Sequence, residues 1–130
     1  MKSIFYLFSL LFFICINLLI ISNYAIALGN VDWILLKENN EGKEWLDMGS
    51  IKIINDKEIS VLTRFYKSPK ESNNNGETIL YVMKINCNEK TFKDTSRNGI
   101  PQFNSKWHDS DNDEFIDVVI EKSCYESINK

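Results

Sequence analysis

Residues 78–87, TILYVMKINC, form the clearest strand pattern in the chain. Successive side chains of a strand point to opposite faces, so alternate residues share a face. In this stretch one face is apolar and consists of Ile79, Tyr81, Met83, Ile85 and Cys87. The pattern therefore predicts a strand that packs this face on a core, with Cys87 at the end of the apolar row.

Shorter patterns on both sides of this strand predict further strands of an antiparallel sheet. We expect two of them to form a hairpin around the turn Asn55-Asp56-Lys57. Stretches rich in Asn, Gly or Pro separate the strands and predict loops, above all at 68–76 and 97–106. The predicted additional strands are residues 31–37, 44–48, 50–54, 58–67 and 90–94.

The last segment changes to a helical period. Its apolar positions predict a C-terminal helix, and Ser110 with Asp113 three residues later resembles a capping box at its start. Cys124 lies one turn beyond Ile120, near the apolar stripe. Because Cys87 and Cys124 both face the core, they meet the geometric condition for a disulfide. The residues with helical spacing are Phe115, Ile116, Val119, Ile120, Ser123 and Cys124.

These elements together predict an α+β fold. We expect an antiparallel sheet of about five or six strands with one C-terminal helix packed on it and tethered by the disulfide. A mature chain of about 100 residues is the size of one ordinary domain.

The first 27 residues have the three parts of a secretory signal. Lys2 supplies the charge, residues 4–21 are almost wholly apolar, and Ala25-Ile26-Ala27 is a small-x-small cleavage site. We expect cleavage between Ala27 and Leu28, so residues 1–27 are the signal and residues 28–130 the domain. The apolar run is long enough to span a bilayer. A retained anchor is therefore the alternative, and the only membrane contact we expect.

The charge balance argues against a nucleic-acid partner. The chain has 15 Lys and Arg against 18 Asp and Glu, a net charge of −3, and the balance becomes more acidic when Lys2 leaves with the signal. A general nucleic-acid binder needs a basic face to displace counterions from phosphates.

One acidic run resembles the start of a calcium loop. It reads Asp109-Ser110-Asp111-Asn112-Asp113, but Glu114 stands where a calcium loop needs Gly, and Ile120 where it needs a bidentate Glu. A solvated acidic helix start is the favoured interpretation, and a weak surface calcium site is the alternative.

The remaining reactive residues do not form a recognisable catalytic set. His108 is the sole histidine, and Ser105, Ser110 and Asp109 are only its sequence neighbours. A zinc site needs three or four ligands, and a disulfide would consume two cysteines. Those cysteines are also too far apart for a Cys-x-x-Cys redox pair. We therefore expect no catalytic residue, no cofactor and no metal, and hence a protein that is not an enzyme.

The mature chain is rich in aromatic residues. Most should be core, but some on the face of the sheet away from the helix could be exposed and hold a partner. The loop at 68–76 is a second candidate contact. The aromatic set is Trp33, Trp45, Phe65, Tyr66, Tyr81, Phe92, Phe103 and Trp107.

Several of these residues recur in an order that resembles the surface-adhesin E family of small exported bacterial proteins. The matching features are Trp33, WLDMGSI at residues 45–51, Tyr66 with Lys67, KINC at residues 84–87, Trp107 and Cys124. The resemblance implies a curved antiparallel sheet with a C-terminal helix held by a disulfide. The founding members of the family are adhesins that bind host extracellular proteins.

Together with the missing catalytic set, this resemblance predicts a non-enzymatic, adhesin-like binding domain of the cell envelope. We expect export to the periplasm, the cell surface or the medium. The partner would be a protein, either a host or matrix protein or another envelope protein. The alternative is a periplasmic accessory or inhibitor-like domain for an envelope protein.

Overall fold

The computed structural model describes residues 30–69 and 75–129, together with Tyr6 and Phe12. The expected cleavage site between Ala27 and Leu28 and the alternative membrane anchor lie outside the described residues. Of the expected domain at residues 28–130, the structure describes residues 30–69 and 75–129.

Within these residues the chain forms one open antiparallel sheet and one long helix, which confirms the α+β prediction. The elements are β1 Trp33–Glu38, β2 Gly42–Asp47, β3 Lys52–Ile53, β4 Glu58–Lys67, β5 Glu77–Asn86, β6 Thr91–Arg97, β7 Ile100–Pro101 and α1 Glu114–Ile128. The sheet order is β1-β2-β4-β5-β6-β7, and β3 pairs with β4 beyond the end of β2. The sheet has seven strands rather than five or six, because the two-residue strand β7 pairs with β6 inside the stretch 97–106 that was predicted to be a loop.

A short 3₁₀ turn, Met48–Ser50, separates β2 from β3 and is held by side chains. Asp47 Oδ1 accepts hydrogen bonds from the backbone N–H groups of Asp32 at 2.8 Å and Gly49 at 3.1 Å. The Ser50 hydroxyl donates to the Asp47 carbonyl and accepts from Leu62 N–H on β4. The turn then delivers Ile51 to the core at 5% exposure. The Asp and Ser of the WLDMGSI stretch thus have a structural role.

The turns on either side of β4 and β5 use asparagine side chains. Asn55 Oδ1 accepts from the N–H groups of Lys57 and Glu58 and closes the predicted hairpin between β3 and β4. Asn86 Oδ1 does the same for Asn88 and Glu89 between β5 and β6. Such side-chain bonds to the following backbone favour turns over continued strands.

The helix begins after Asp113, and this position corrects the expected capping box. Asp113 is the N-cap, and its Oδ1 accepts from the N–H groups of Phe115 and Ile116. Ser110 lies about one turn too early to be the N-cap, and its carbonyl oxygen instead accepts a hydrogen bond from Asp113 N–H. The carboxylate of Asp113 therefore takes the role that the sequence pattern assigned to the Ser110 hydroxyl.

The predicted disulfide joins the end of β5 to the helix. Cys87 and Cys124 are bonded, and their Cα atoms are 5.6 Å apart. Both cysteines pack against the core, as their places in the strand and helix patterns predict. The buried core combines Leu46, Ile51, Ile59, Val61, Met83, Ile85, Val119 and Ile120.

Candidate binding surface

The helix covers one face of the sheet and leaves the other face open. Residues directly opposite each other on paired strands share a face. On the covered face lie the core residues Leu46, Val61 and Met83. On the other face, which we call the open face, the strand register brings Trp45, Arg64 and Leu80 into one row across β2, β4 and β5.

The centre of this row is a cation that lies over two indole rings. The guanidinium carbon of Arg64 lies 4.4 Å from the ring centroid of Trp45 and 4.8 Å from that of Trp33. Cation–π contact with two aromatic rings restricts where the guanidinium can lie. Arg64 Nε is buried without a hydrogen-bond partner, and none of the ion pairs found among the described residues involves Arg64.

An apolar groove of about 570 Å³ lies beside this stack. Its apolar wall comes from Val31, Leu62, Leu80 and Val82. Leu80 is 39% exposed and Val31 52% exposed, although both are aliphatic. Asp47 also lines the groove, but its Oδ1 is already bonded to backbone N–H groups. An exposed apolar groove with a polar rim is typical of a site that binds a partner.

A second cationic row lies beyond the groove. Lys84 on β5 is directly opposite Lys93 on β6, an arrangement in which like charges repel. Lys93 Nζ lies 4.8 Å from the ring centroid of Trp107, which is 37% exposed. Neither lysine has a carboxylate partner among the residues described. The open face thus places an apolar row between a row that carries Arg64 and a row that carries Lys84 and Lys93.

The covered face, unlike the open face with its cations, contains a buried carboxyl group. Glu44 is 2% exposed, and burial raises its pKa to about 8; the Thr63 hydroxyl lowers the pKa in part, and the nearby Asp113 carboxylate raises it. Glu44 Oε1 has no hydrogen-bond partner within the described structure. The group is therefore mostly protonated at neutral pH, and the core avoids most of the cost of a buried charge.

The acidic run at 109–113 forms the approach to the helix. Asp109 shares a hydrogen bond with Asp111 and thereby raises the pKa of the Asp111 carboxyl, and Asp113 caps the helix. Across the described ranges, no group of three or more His, Cys, Asp or Glu side chains is placed to hold a metal ion. Within this run, Asp113 is the residue that begins the helix.

His108 is placed by the sheet. Its backbone forms a β-bridge with Phe92, and the two rings are 6.3 Å apart between centroids. Among the described residues, no hydrogen bond joins its ring to Ser105 or Ser110. The loop at 68–76 is described only at its ends, Ser68, Pro69, Asn75 and Gly76.

The sequence patterns missed Arg64 and the apolar row. A usable signal was present, because Leu62 on β4 and Leu80 and Val82 on β5 are apolar on the face opposite the core residues. A strand with one solvated face normally carries polar residues there. Apolar residues on both faces indicate a second contact surface.

The fold is that of a small disulfide-linked α+β domain with one sheet face left uncovered by the helix. In the described part of the chain no helix is both long and apolar enough to cross a membrane. Residues 34–130 match the family model described as the surface adhesin-E family, and the chain belongs to this family. No match was found among curated proteins or among solved structures.

Family membership and the disulfide together indicate where the protein acts, and family membership indicates its general role. A surface adhesin acts outside the cytosol, where disulfides persist, so both findings indicate an exported or surface-located protein. The family description also indicates an adhesin-like protein rather than an enzyme.

Proposed function

We propose that this chain is an exported, non-enzymatic binding domain that holds a protein partner on the open face of its sheet. The observation that carries this proposal is the apolar groove beside the Trp33–Arg64–Trp45 stack. The helix closes the other face permanently through the disulfide, so that face offers its apolar residues to the core and not to a ligand.

The proposal includes removal of the signal between Ala27 and Leu28. The arrangement of Lys2, the apolar run and the Ala-x-Ala site supports it. N-terminal sequencing of the protein recovered from its own cells should begin at Leu28. Recovery of a chain that still begins at Met1 would favour the anchored form.

The test of the open face is partner capture with matched variants. The full chain, expressed with export, serves as bait for solubilised envelope proteins and, separately, for extracellular-matrix proteins. Leu80→Gln changes the groove, whereas Tyr125→Ser changes an aromatic residue that is 63% exposed on the helix. We expect Leu80→Gln to abolish specific capture and Tyr125→Ser to retain it.

The identity of the captured protein separates the two expected roles. A host or matrix protein supports adhesion, and an envelope protein supports the accessory or inhibitor-like role. Capture that both variants retain equally would place the partner elsewhere and contradict the proposal.

A further inference from the structure

Charge is divided unequally between the two sides of this acidic protein. The outer surface of the helix exposes Glu114, Asp117 and Glu121, while the open face presents Arg64, Lys84 and Lys93 without carboxylate partners among the described residues. The chain as a whole has a net charge of −3. A cationic surface on an acidic domain is complementary to an anionic partner and disfavours pairing with the open face of a second copy, which carries the same cations.

The cations on the open face are positioned to bind carboxylates. The guanidinium of Arg64 contacts both the Trp33 and the Trp45 ring, so less side-chain entropy remains to be lost when it binds. A guanidinium edge matches a carboxylate in a bidentate geometry. Lys84 and Lys93 repel each other across paired strands, and an anion between them would relieve that repulsion.

The spacing of these groups matches an extended polypeptide. Arg64 is opposite Leu80, and Lys84 is four residues further along β5. Four residues of a strand span about 13 Å. Val82 lies midway between these rows, next to Leu62. A partner strand has the same rise per residue, so its residues i and i+4 would reach the two cationic rows while residue i+2 contacts the groove.

We propose that the open face binds an extended acidic segment of its protein partner, in which carboxylates at positions i and i+4 flank an apolar side chain at i+2. The inference rests on the proposed function and specifies its ligand. The apolar groove favours a polypeptide over a polyanionic sugar, because a sugar sulfate or carboxylate has no side chain to bury against Leu62 and Val82.

The test uses two capped peptides of equal composition as probes. TDTVTDT places the carboxylates at i and i+4, and TTDVDTT places them at i and i+2. Amide chemical shifts of the labelled, exported protein are followed during titration. TDTVTDT should shift residues around Leu62, Leu80 and Lys84 and should bind about threefold more tightly than TTDVDTT. Its affinity should fall as salt is added.

Three variants locate the interaction. Lys84→Gln should weaken TDTVTDT binding about threefold, and Arg64→Gln at least as much. Lys57→Gln makes the same charge change on an exposed lysine of the β3–β4 turn and should leave binding unchanged. Lys84→Gln alone suffices if loss of the Arg64 stack disturbs folding, because Lys84 is bonded to no other side chain in the described structure.

Equal affinity for the two peptides, no shifts on the open face at millimolar peptide, or binding only of a heparin-derived oligosaccharide would overturn the inference. The proposed function would survive any of these results if Leu80→Gln still abolished capture of the protein partner. It would fail separately if capture were independent of Leu80.

Discussion

The two faces of the sheet carry apolar residues for different purposes. On the covered face, Val61, Met83 and Ile85 are at most 2% exposed and pack under the helix. On the open face, Leu80 remains 39% exposed beside a cation that contacts two indole rings. Burial of the first set stabilises the fold. The second set contributes much less to stability, and the proposed function gives its exposure a purpose, the binding of a partner.

The largest expected effect concerns the attachment of the helix to the covered face. Cys87 and Cys124 are 37 residues apart in sequence, and the chain-entropy account gives about 4 kcal/mol for a loop of this length. Cys124→Ser should lower the free energy of unfolding by about that amount in urea unfolding. Amide exchange should accelerate first in α1.

The matched control for this prediction is the wild-type protein under reducing conditions, which should lose the same stability. An unchanged denaturation midpoint in both samples would show that the disulfide does not stabilise the covered face.

The second-largest expected effect is a pH dependence of stability that arises from the buried carboxyl group of Glu44 on the covered face. Burial raises the pKa of Glu44 to about 8, from its ordinary value of 4.5, so the folded state holds a proton that the unfolded state releases as the pH rises above 4.5. The contribution of Glu44 to stability is therefore most favourable at low pH and falls as the pH rises toward 8. The expected fall attributable to Glu44 is about 2 to 3 kcal/mol between pH 5 and pH 7.

Glu44→Gln isolates this contribution, because Asp94, whose pKa burial also raises, titrates in both proteins. The variant should lose most of the fall in stability over this pH range. Parallel stability–pH curves for the two proteins would contradict the assignment.

A smaller effect tests the start of the helix. Asp113→Ala removes the side chain that accepts from Phe115 N–H and Ile116 N–H, and loss of an N-cap costs about 1 kcal/mol. Ser110→Ala is the matched control, since its carbonyl, not its hydroxyl, bonds to Asp113. Thermal unfolding should show a lower Tm for the first variant only; the reverse order would restore the capping box.

The smallest stability effect belongs to the open face. Leu80→Gln should change the free energy of unfolding by about 1 kcal/mol or less, because Leu80 is already partly exposed. A loss as large as that of Cys124→Ser would mean that the open face also holds the fold together.

The features of the fold that could be predicted from the sequence are those set by local patterns. The bounds of β4, the apolar row of β5 and the pairing of Cys87 with Cys124 depend on period and on turn residues close by. The separation of β2 from β3 was predicted, but the 3₁₀ turn Met48–Ser50 between them was not. It depends on hydrogen bonds between Asp47 and Asp32 and between Ser50 and Leu62, which is on another strand.

The candidate site depends even more on contacts between residues that are far apart in the sequence, which is why the sequence did not predict it. Trp33, Trp45 and Arg64 lie on three strands, and only the register of β1, β2 and β4 brings them together. An alternation pattern shows which residues share a face of one strand and does not give the offset between strands. The aromatic residues were predicted as candidate contacts for a partner, but the contact of Arg64 with two of them was not predicted.

The claim that the open face binds the partner is tested most directly by photo-crosslinking. A photoreactive amino acid is placed at position 80 in one sample and at position 125 in another, and each exported protein is irradiated with the matrix and envelope protein fractions. We predict a specific cross-linked protein from position 80, on the open face, and none from position 125, on the helix. The reverse pattern, or the same product from both positions, would contradict the division of the sheet into a stabilising face and a binding face.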